Sequence, residues 1–130
     1  ARNEVGEIRR VLNSFLQFLE LDASESLIVG ATNHPRILDR ALFRRFESVI
    51  EFVLPSRAIA ELVMRGRLAF LDTAAAEWGE VLSAAEGLSH GDITRACEQA
   101  AKQAILANST QVSTCLLIDA LKERRQTSHD

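Results

Sequence analysis

Two polar groups in the first half of this 130-residue chain could act on a phosphate. Asn33 directly follows the apolar run Leu27–Thr32, and the adjacent arginines Arg44 and Arg45 precede Phe46. An amide at the tip of a strand can donate to a phosphate oxygen or orient a water without changing its charge. An arginine is a permanently charged planar fork, suited to the negative charge that develops during phosphoryl transfer.

Each of these groups also has a purely structural interpretation. Asn33 could start an Asx-type turn before Pro35, because asparagine side chains often bond to nearby backbone. Arg44 and Arg45 could be a solvated pair of charges at the end of a helix. Residue type alone leaves both interpretations open.

A third candidate is the short turn between Gly87 and Gly91, with Ser89 and His90 between them. A glycine at the start of a helix lets the backbone approach a ligand closely, and the exposed amides there suit a nucleotide. Ser89 and Asp92 have the spacing of a capping box. The pattern therefore predicts a helix that begins at this turn.

The elements around the first two candidates predict an incomplete α/β layer. Apolar residues recur at steps of three and four over Asn3–Leu21, which predicts an amphipathic helix. Leu27–Thr32 and Ser48–Val53 are apolar and β-branched, as in buried parallel strands, and Asp39 could cap a short helical turn between them. Two strands and one long helix cannot close a domain, so we expect further partners.

The second half of the chain has only helical periodicity. Four helices are predicted, over Ser56–Phe70, Ala74–Ala85, Ser89–Ile105 and Ser113–Arg125. The expected fold class is α/β plus all-α: a partial P-loop-type layer over residues 1–55, followed by a four-helix bundle over residues 56–130.

Composition excludes several classes of protein. A hydrophobic fraction of 47% with 25% charged residues is that of a globular chain, and a net charge of −3 argues against a nucleic-acid binder. No apolar run is long enough to span a membrane, so we expect a cytoplasmic protein. No metal site is predicted, because the histidines lack zinc-ligand spacing and Cys97 and Cys115 fit as reduced thiols on apolar helix faces.

Two separate motifs resemble those of AAA+ ATPases, in the protein-remodelling branch that includes membrane-anchored AAA proteases and katanin-like enzymes. Residues 27–46 read LIVGATNHPRILDRALFRRF, similar to the family's strand ending in Ala-Thr-Asn, then Leu-Asp, then arginines before Phe. Residues 87–93 read GLSHGDI, where the family has Gly-Phe-Ser-Gly-Ala-Asp-Leu. The motifs occur in the family's order, and the resemblance covers nearly the whole chain.

The resemblance implies a role for each candidate. It makes Asn33 the catalytic sensor 1, and Arg45, with Arg44 as a second finger, arginine fingers for the nucleotide of a neighbouring subunit. The active assembly would be a homo-oligomeric ring, a hexamer, acting on a protein substrate. The helical half would be the lid.

In that lid, the resemblance places Gly91 near the ribose and adenine of ATP or ADP bound with Mg²⁺. Gly87, Ser89 and His90 belong to the same cofactor-binding turn. His90 departs from the pattern, since it stands where the family usually has glycine.

The residues that bind phosphate in this family are missing from the sequence. Neither Lys102 nor Lys122 lies in a Gly-x-x-x-x-Gly-Lys-Ser/Thr loop, and no Asp-Glu pair that could end a Walker B strand occurs. We therefore expect the C-terminal half of an ATPase module, inactive by itself and without a tightly bound cofactor. One alternative is a non-enzymatic interaction module that retains the fold without a phosphate site. A clamp-loader lid is disfavoured by the acidic balance and the lack of a sensor 2 arginine.

Overall fold

The computed structural model describes residues 2–34, 36 and 40–127. The chain divides into two compact units, Ala1–Glu51 and Phe52–Asp130. The described residues form six helices: α1 (Arg2–Leu21), α2 (Arg40–Phe43), α3 (Arg57–Arg67), α4 (Trp78–Ala85), α5 (His90–Leu106) and α6 (Thr114–Thr127). None of these helices is both long enough and apolar enough to cross a membrane.

Helix α1 dominates the first unit and confirms the predicted amphipathic helix. Its 20 residues bury Leu16, while Phe18 and Leu21 remain exposed. The helix ends where the Asp22 side chain accepts a hydrogen bond from the Ser24 backbone N–H at 3.0 Å. Hydrogen bonding from Ser24 also lowers the pKa of Asp22, because it favours the charged carboxylate. The predicted cap at Asp39 lies outside the described residues.

The two predicted strands are not confirmed, because neither segment forms a strand in this structure. Leu27–Thr32 and Ser48–Val53 run without ladder pairing, and Leu27 and Val29 are 89% and 81% exposed. The one β-bridge among the described residues joins Asp72 to Gln111 in the second unit. A strand exists only through pairing with a neighbour, and neither segment has one among the described residues.

The second unit contains α3 to α6. As predicted, Ser56 caps α3, since its hydroxyl accepts from the Ile59 backbone N–H at 3.4 Å. Helix α4 begins at Trp78 instead of at Ala74, because Ala74 donates its N–H to the Asp72 carboxylate at 2.9 Å in a preceding turn.

One apolar cluster holds these four helices together. Small residues of α5, Ala96, Ala100 and Ala104, are fully or almost fully buried and let α6 and α3 approach closely. The largest buried side chains of the cluster are Met64, Leu68, Val81, Ile93, Val112, Leu117 and Leu121. This core fixes the relative positions of α4, α5 and α6, and with them the turn that contains the candidate residues 87–91.

Candidate nucleotide-binding residues

Asn33 lies in a bend of the first unit and is exposed. The bend contains a hydrogen bond in which the His34 backbone N–H donates to the Thr32 hydroxyl at 3.0 Å. An Asx turn at Asn33 would need an N–H two residues on, and Pro35 has none. The turn interpretation of Asn33 is thus not supported, and the residue is exposed.

Arg44 and Arg45 follow α2 directly. Their backbone N–H groups donate to the carbonyls of Arg40 at 3.3 Å and Leu42 at 3.0 Å, which continues the helix as a tight turn. Leu42 is buried and anchors this turn, whereas both arginines are exposed. The Arg45 guanidinium forms an ion pair with the carboxylate of Glu20 on α1.

Phe46 connects this turn to the segment that leads to Asn33. A Cβ built on Gly30 would lie 3.6 Å from Cζ of Phe46, so the ring packs against the Gly30 backbone. The two candidate segments of the first unit therefore meet through Gly30 and Phe46. A Cβ at that distance would make an ordinary contact with the ring, so this packing does not by itself require glycine at position 30.

The turn between α4 and α5 brings the other four candidates together. Gly87 has a φ of +79°, a left-handed conformation that glycine adopts without strain. Leu88 is buried and donates its N–H to the Ala85 carbonyl at 3.1 Å. His90 is the first residue of α5, and it is exposed together with Gly91.

Ser89 caps α5, at the position that the capping-box spacing predicts. The Ser89 hydroxyl accepts from the Asp92 backbone N–H at 3.1 Å. The same hydroxyl donates to Oδ2 of Asp92 at 2.8 Å. The other carboxylate oxygen of Asp92, Oδ1, accepts hydrogen bonds from a side chain on another helix.

That side chain belongs to α6, and sequence reasoning missed it. Arg124 donates from Nε and Nη2 to Oδ1 of Asp92, at 3.2 and 2.9 Å. Arg125 donates from Nη2 to the carbonyls of Ala84 at 2.9 Å and Glu86 at 2.6 Å. In the sequence, both arginines stand at the end of the predicted helix Ser113–Arg125, and no local signal points to partners so far away.

The described residues contain no group of three or more His, Cys, Asp or Glu side chains able to hold a metal ion. Cys97 is buried in the core, as predicted, and burial raises its thiol pKa to about 12. Both cysteines are free, as predicted, but Cys115 is exposed, so its placement on an apolar helix face is not confirmed. Arg95 is exposed on α5.

Comparison with known proteins places these residues in context. Residues 1–54 match the family model for the ATPase family associated with various cellular activities (AAA). The chain is 36% identical over 110 residues to the uncharacterized AAA family ATPase y4kL of Sinorhizobium fredii, covering 84% of this chain and 33% of that protein. It is 31% identical over 129 residues to spastin of Drosophila willistoni, covering 92% of this chain and 16% of that protein.

A further similar protein is the ATP-dependent zinc metalloprotease FtsH 1 of Methylacidiphilum infernorum, 31% identical over 132 residues, which cover 94% of this chain and 20% of that protein. The chain spans a third or less of the length of these relatives. The matched class is that of AAA ATPases. The family match over residues 1–54 and these relatives together support an AAA ATPase segment in this chain.

Proposed function

We propose that this chain is the C-terminal half of an AAA+ ATPase module that couples Mg-ATP hydrolysis to the remodelling of proteins in the cytoplasm. The working assembly is a homo-oligomeric ring, a hexamer. The observation that carries the proposal is the Ala31-Thr32-Asn33 to Arg44-Arg45-Phe46 segment, which lies inside the family match. A P-loop and a Walker B strand, absent from residues 1–130, have to be supplied by another part of the protein.

Asn33 acts as sensor 1 in this proposal. The exposed position beside Thr32 supports it, because the amide is not required for the local turn. An uncharged donor of this kind holds the attacking water or the γ-phosphate in line without titrating.

Arg45 and Arg44 act as fingers on the nucleotide of the neighbouring subunit. Both are exposed on a turn that buried Leu42 fixes in place. The turn therefore presents the two guanidinium groups at the surface from a defined position. The Glu20 ion pair of Arg45 is itself at the surface. Surface pairs contribute only about 0–1 kcal/mol, so a phosphate can replace the carboxylate.

The second unit is the lid, and its α4–α5 turn contacts the ribose and adenine. Gly91 supports this assignment, since a Cβ there would meet only Ser89 Oγ at 3.8 Å, an ordinary contact. The fold therefore does not require glycine at position 91, whereas close approach of a ligand does. Gly87, Ser89 and His90 complete this cofactor-binding turn.

A linked-subunit ring tests the proposal in the full-length protein. If Arg45 acts across the interface and Asn33 acts in its own subunit, Asn33→Ala and Arg45→Ala in one subunit disable two sites. The same changes placed in the two adjacent subunits that share a site disable one. Equal numbers of active sites in both arrangements contradict the finger assignment. A full-length wild-type protein without Mg-dependent ATP hydrolysis would instead favour the non-enzymatic interaction module.

A further inference from the structure

Two adjacent arginines of α6 hold the α4–α5 turn from both sides. Arg125 bonds to the carbonyls of Ala84 and Glu86 at the end of α4, just before Gly87. Arg124 bonds to Asp92 in the first turn of α5, just after Gly91. The turn therefore lies between two anchors that both belong to a helix more than thirty residues away.

The Arg124 anchor reaches the turn through a continuous hydrogen-bonded chain. Arg124 donates two bonds to one oxygen of Asp92, and the other oxygen accepts from the Ser89 hydroxyl at 2.8 Å. The Arg124 and Asp92 side chains are only 23% and 17% exposed. A charge pair this protected is screened little by salt, and charge-assisted bonds are stronger than neutral ones.

The Arg125 anchor acts on the backbone. The Ala84 carbonyl lies in the last turn of α4 and the Glu86 carbonyl belongs to its C-cap residue, where carbonyl groups lack a partner within the helix. A guanidinium there satisfies two acceptors at once. It also lies close to Gly87, since a Cβ at that position would be 3.8 Å from Nη1 of Arg125.

We infer that Arg124 and Arg125 are positioning residues for nucleotide binding, which they serve by fixing residues 87–91 without touching the ligand. This inference rests on the proposed function, because it needs the nucleotide at this turn. Its physical basis is that displacements of about 1 Å in a positioning element lower binding or rate by up to about a hundredfold. Helix α6 therefore sets the affinity of a site to which it contributes no contact.

The test uses the full-length protein with Arg124→Gln or Arg125→Gln and measures the Kd for Mg-ATP, KM and kcat. We expect Kd and KM to rise about tenfold while kcat changes less than about twofold, because only binding depends on the turn. Arg67→Gln is the matched control, since it removes an exposed ion pair with Glu98 in the same unit. Its Kd should stay within about twofold of wild type.

A double-mutant cycle tests whether Asp92 and Arg124 act on ATP binding through their mutual contact. Asp92→Asn and Arg124→Gln should each weaken ATP binding, and together they should weaken it no more than the stronger single change. Arg124→Lys retains the charge and should recover part of the affinity. Unchanged Kd values in folded Arg124→Gln and Arg125→Gln variants, or fully additive effects in the cycle, would overturn the inference.

Amide hydrogen exchange of residues 87–92 in the wild type, with and without Mg-ATP, distinguishes failure of this inference from failure of the proposed function. Slower exchange with nucleotide supports a ligand at the turn. If exchange slows but the arginine variants bind ATP normally, only the positioning inference fails. If ATP is hydrolysed without any change at residues 87–92, the nucleotide does not bind there and the proposed role of the turn fails as well.

Discussion

The guanidinium of Arg45 pairs with the carboxylate of Glu20, 25 residues earlier and one residue before the end of α1. Both side chains are partly exposed, at 38% and 56%. Such a pair contributes about 0–1 kcal/mol, too little to hold an arginine away from a phosphate in a neighbouring subunit. Glu20 therefore pairs with Arg45 at the surface of the first unit without preventing the proposed action of Arg45 on a neighbouring nucleotide.

The two partners of this pair should differ in their effect on hydrolysis. In the full-length protein, Arg45→Ala should lower kcat by about 10³ or more, because an arginine finger stabilises transition-state charge. Glu20→Gln should leave kcat within about threefold, because it removes only the resting partner. Steady-state ATPase assays measure both. If Glu20→Gln lowered kcat as much as Arg45→Ala does, the ion pair itself would be required for hydrolysis.

The two glycines of the α4–α5 turn should separate stability from binding. Gly87→Ala should lower the free energy of unfolding by about 1–2 kcal/mol, because its φ of +79° is unfavourable for a residue with a Cβ. Gly91→Ala should raise stability by up to about 1 kcal/mol, because it replaces a helical glycine where there is room. Thermal and urea unfolding of the chain measure both changes.

Gly91→Ala should nevertheless weaken ATP binding in the full-length protein, because its methyl group occupies the face where the ribose and adenine are proposed to bind. Gly66→Ala is the matched control. Gly66 lies in α3, and a Cβ there would meet no atom within 4 Å. Gly66→Ala should gain about as much stability as Gly91→Ala, with no change in ATP affinity. Equal ATP affinities of the Gly66 and Gly91 variants would contradict the proposed contact.

The sequence was informative where local signals determine structure. Ser56 and Ser89 cap α3 and α5 as expected, since a cap is set by residues two to three positions apart. The strand expected over Leu27–Thr32 depends on hydrogen bonds to a neighbouring strand, which composition cannot supply. The contacts of Arg124 and Arg125 cross 32 and 41 residues of sequence, so only the packed helices reveal them.

The two cysteines should react differently with a thiol reagent. Thiolate is the reactive form, and the raised pKa of buried Cys97, about 12, keeps it protonated at pH 8. Exposed Cys115 should therefore be modified in the native chain, and Cys97 only after unfolding. Mass spectrometry after brief maleimide treatment gives the sites, with Cys115→Ser as the control. Rapid native labelling of that control would show that Cys97 is accessible.

The same pKa gives a stability prediction with a definite sign. An unfolded thiol ionises near its ordinary value of 9.0, whereas folded Cys97 stays protonated up to about 12. The contribution of protonated Cys97 to the free energy of unfolding is therefore complete below pH 9 and is lost as the pH rises toward 12. Cys97→Ala should make the unfolding free energy fall less steeply above pH 9 than it does in wild type. If the unfolding free energy of Cys97→Ala fell with pH as steeply as that of wild type above pH 9, the raised pKa of Cys97 would be contradicted.

The last prediction concerns hydrogen exchange in the chain of residues 1–130. The second unit closes its own apolar core, so amides of α5 and α6 around Ala100 and Leu117 should be strongly protected. Residues 27–34 of the first unit lack ladder bonds and should exchange at rates close to those of an unfolded peptide. Mass spectrometry of peptic fragments measures both regions.

Concentration provides the control for this measurement. Exposed apolar side chains such as Val29 and Ile50 favour self-association, which can pair an open segment with another copy and protect its amides. We therefore expect any protection of residues 27–34 to disappear on dilution, while that of α5 persists, because only the latter is intramolecular. Equal protection of both regions in a monodisperse monomer would show that the first unit is closed by contacts within the chain, and the interpretation of Leu27–Thr32 as an unpaired segment would be wrong.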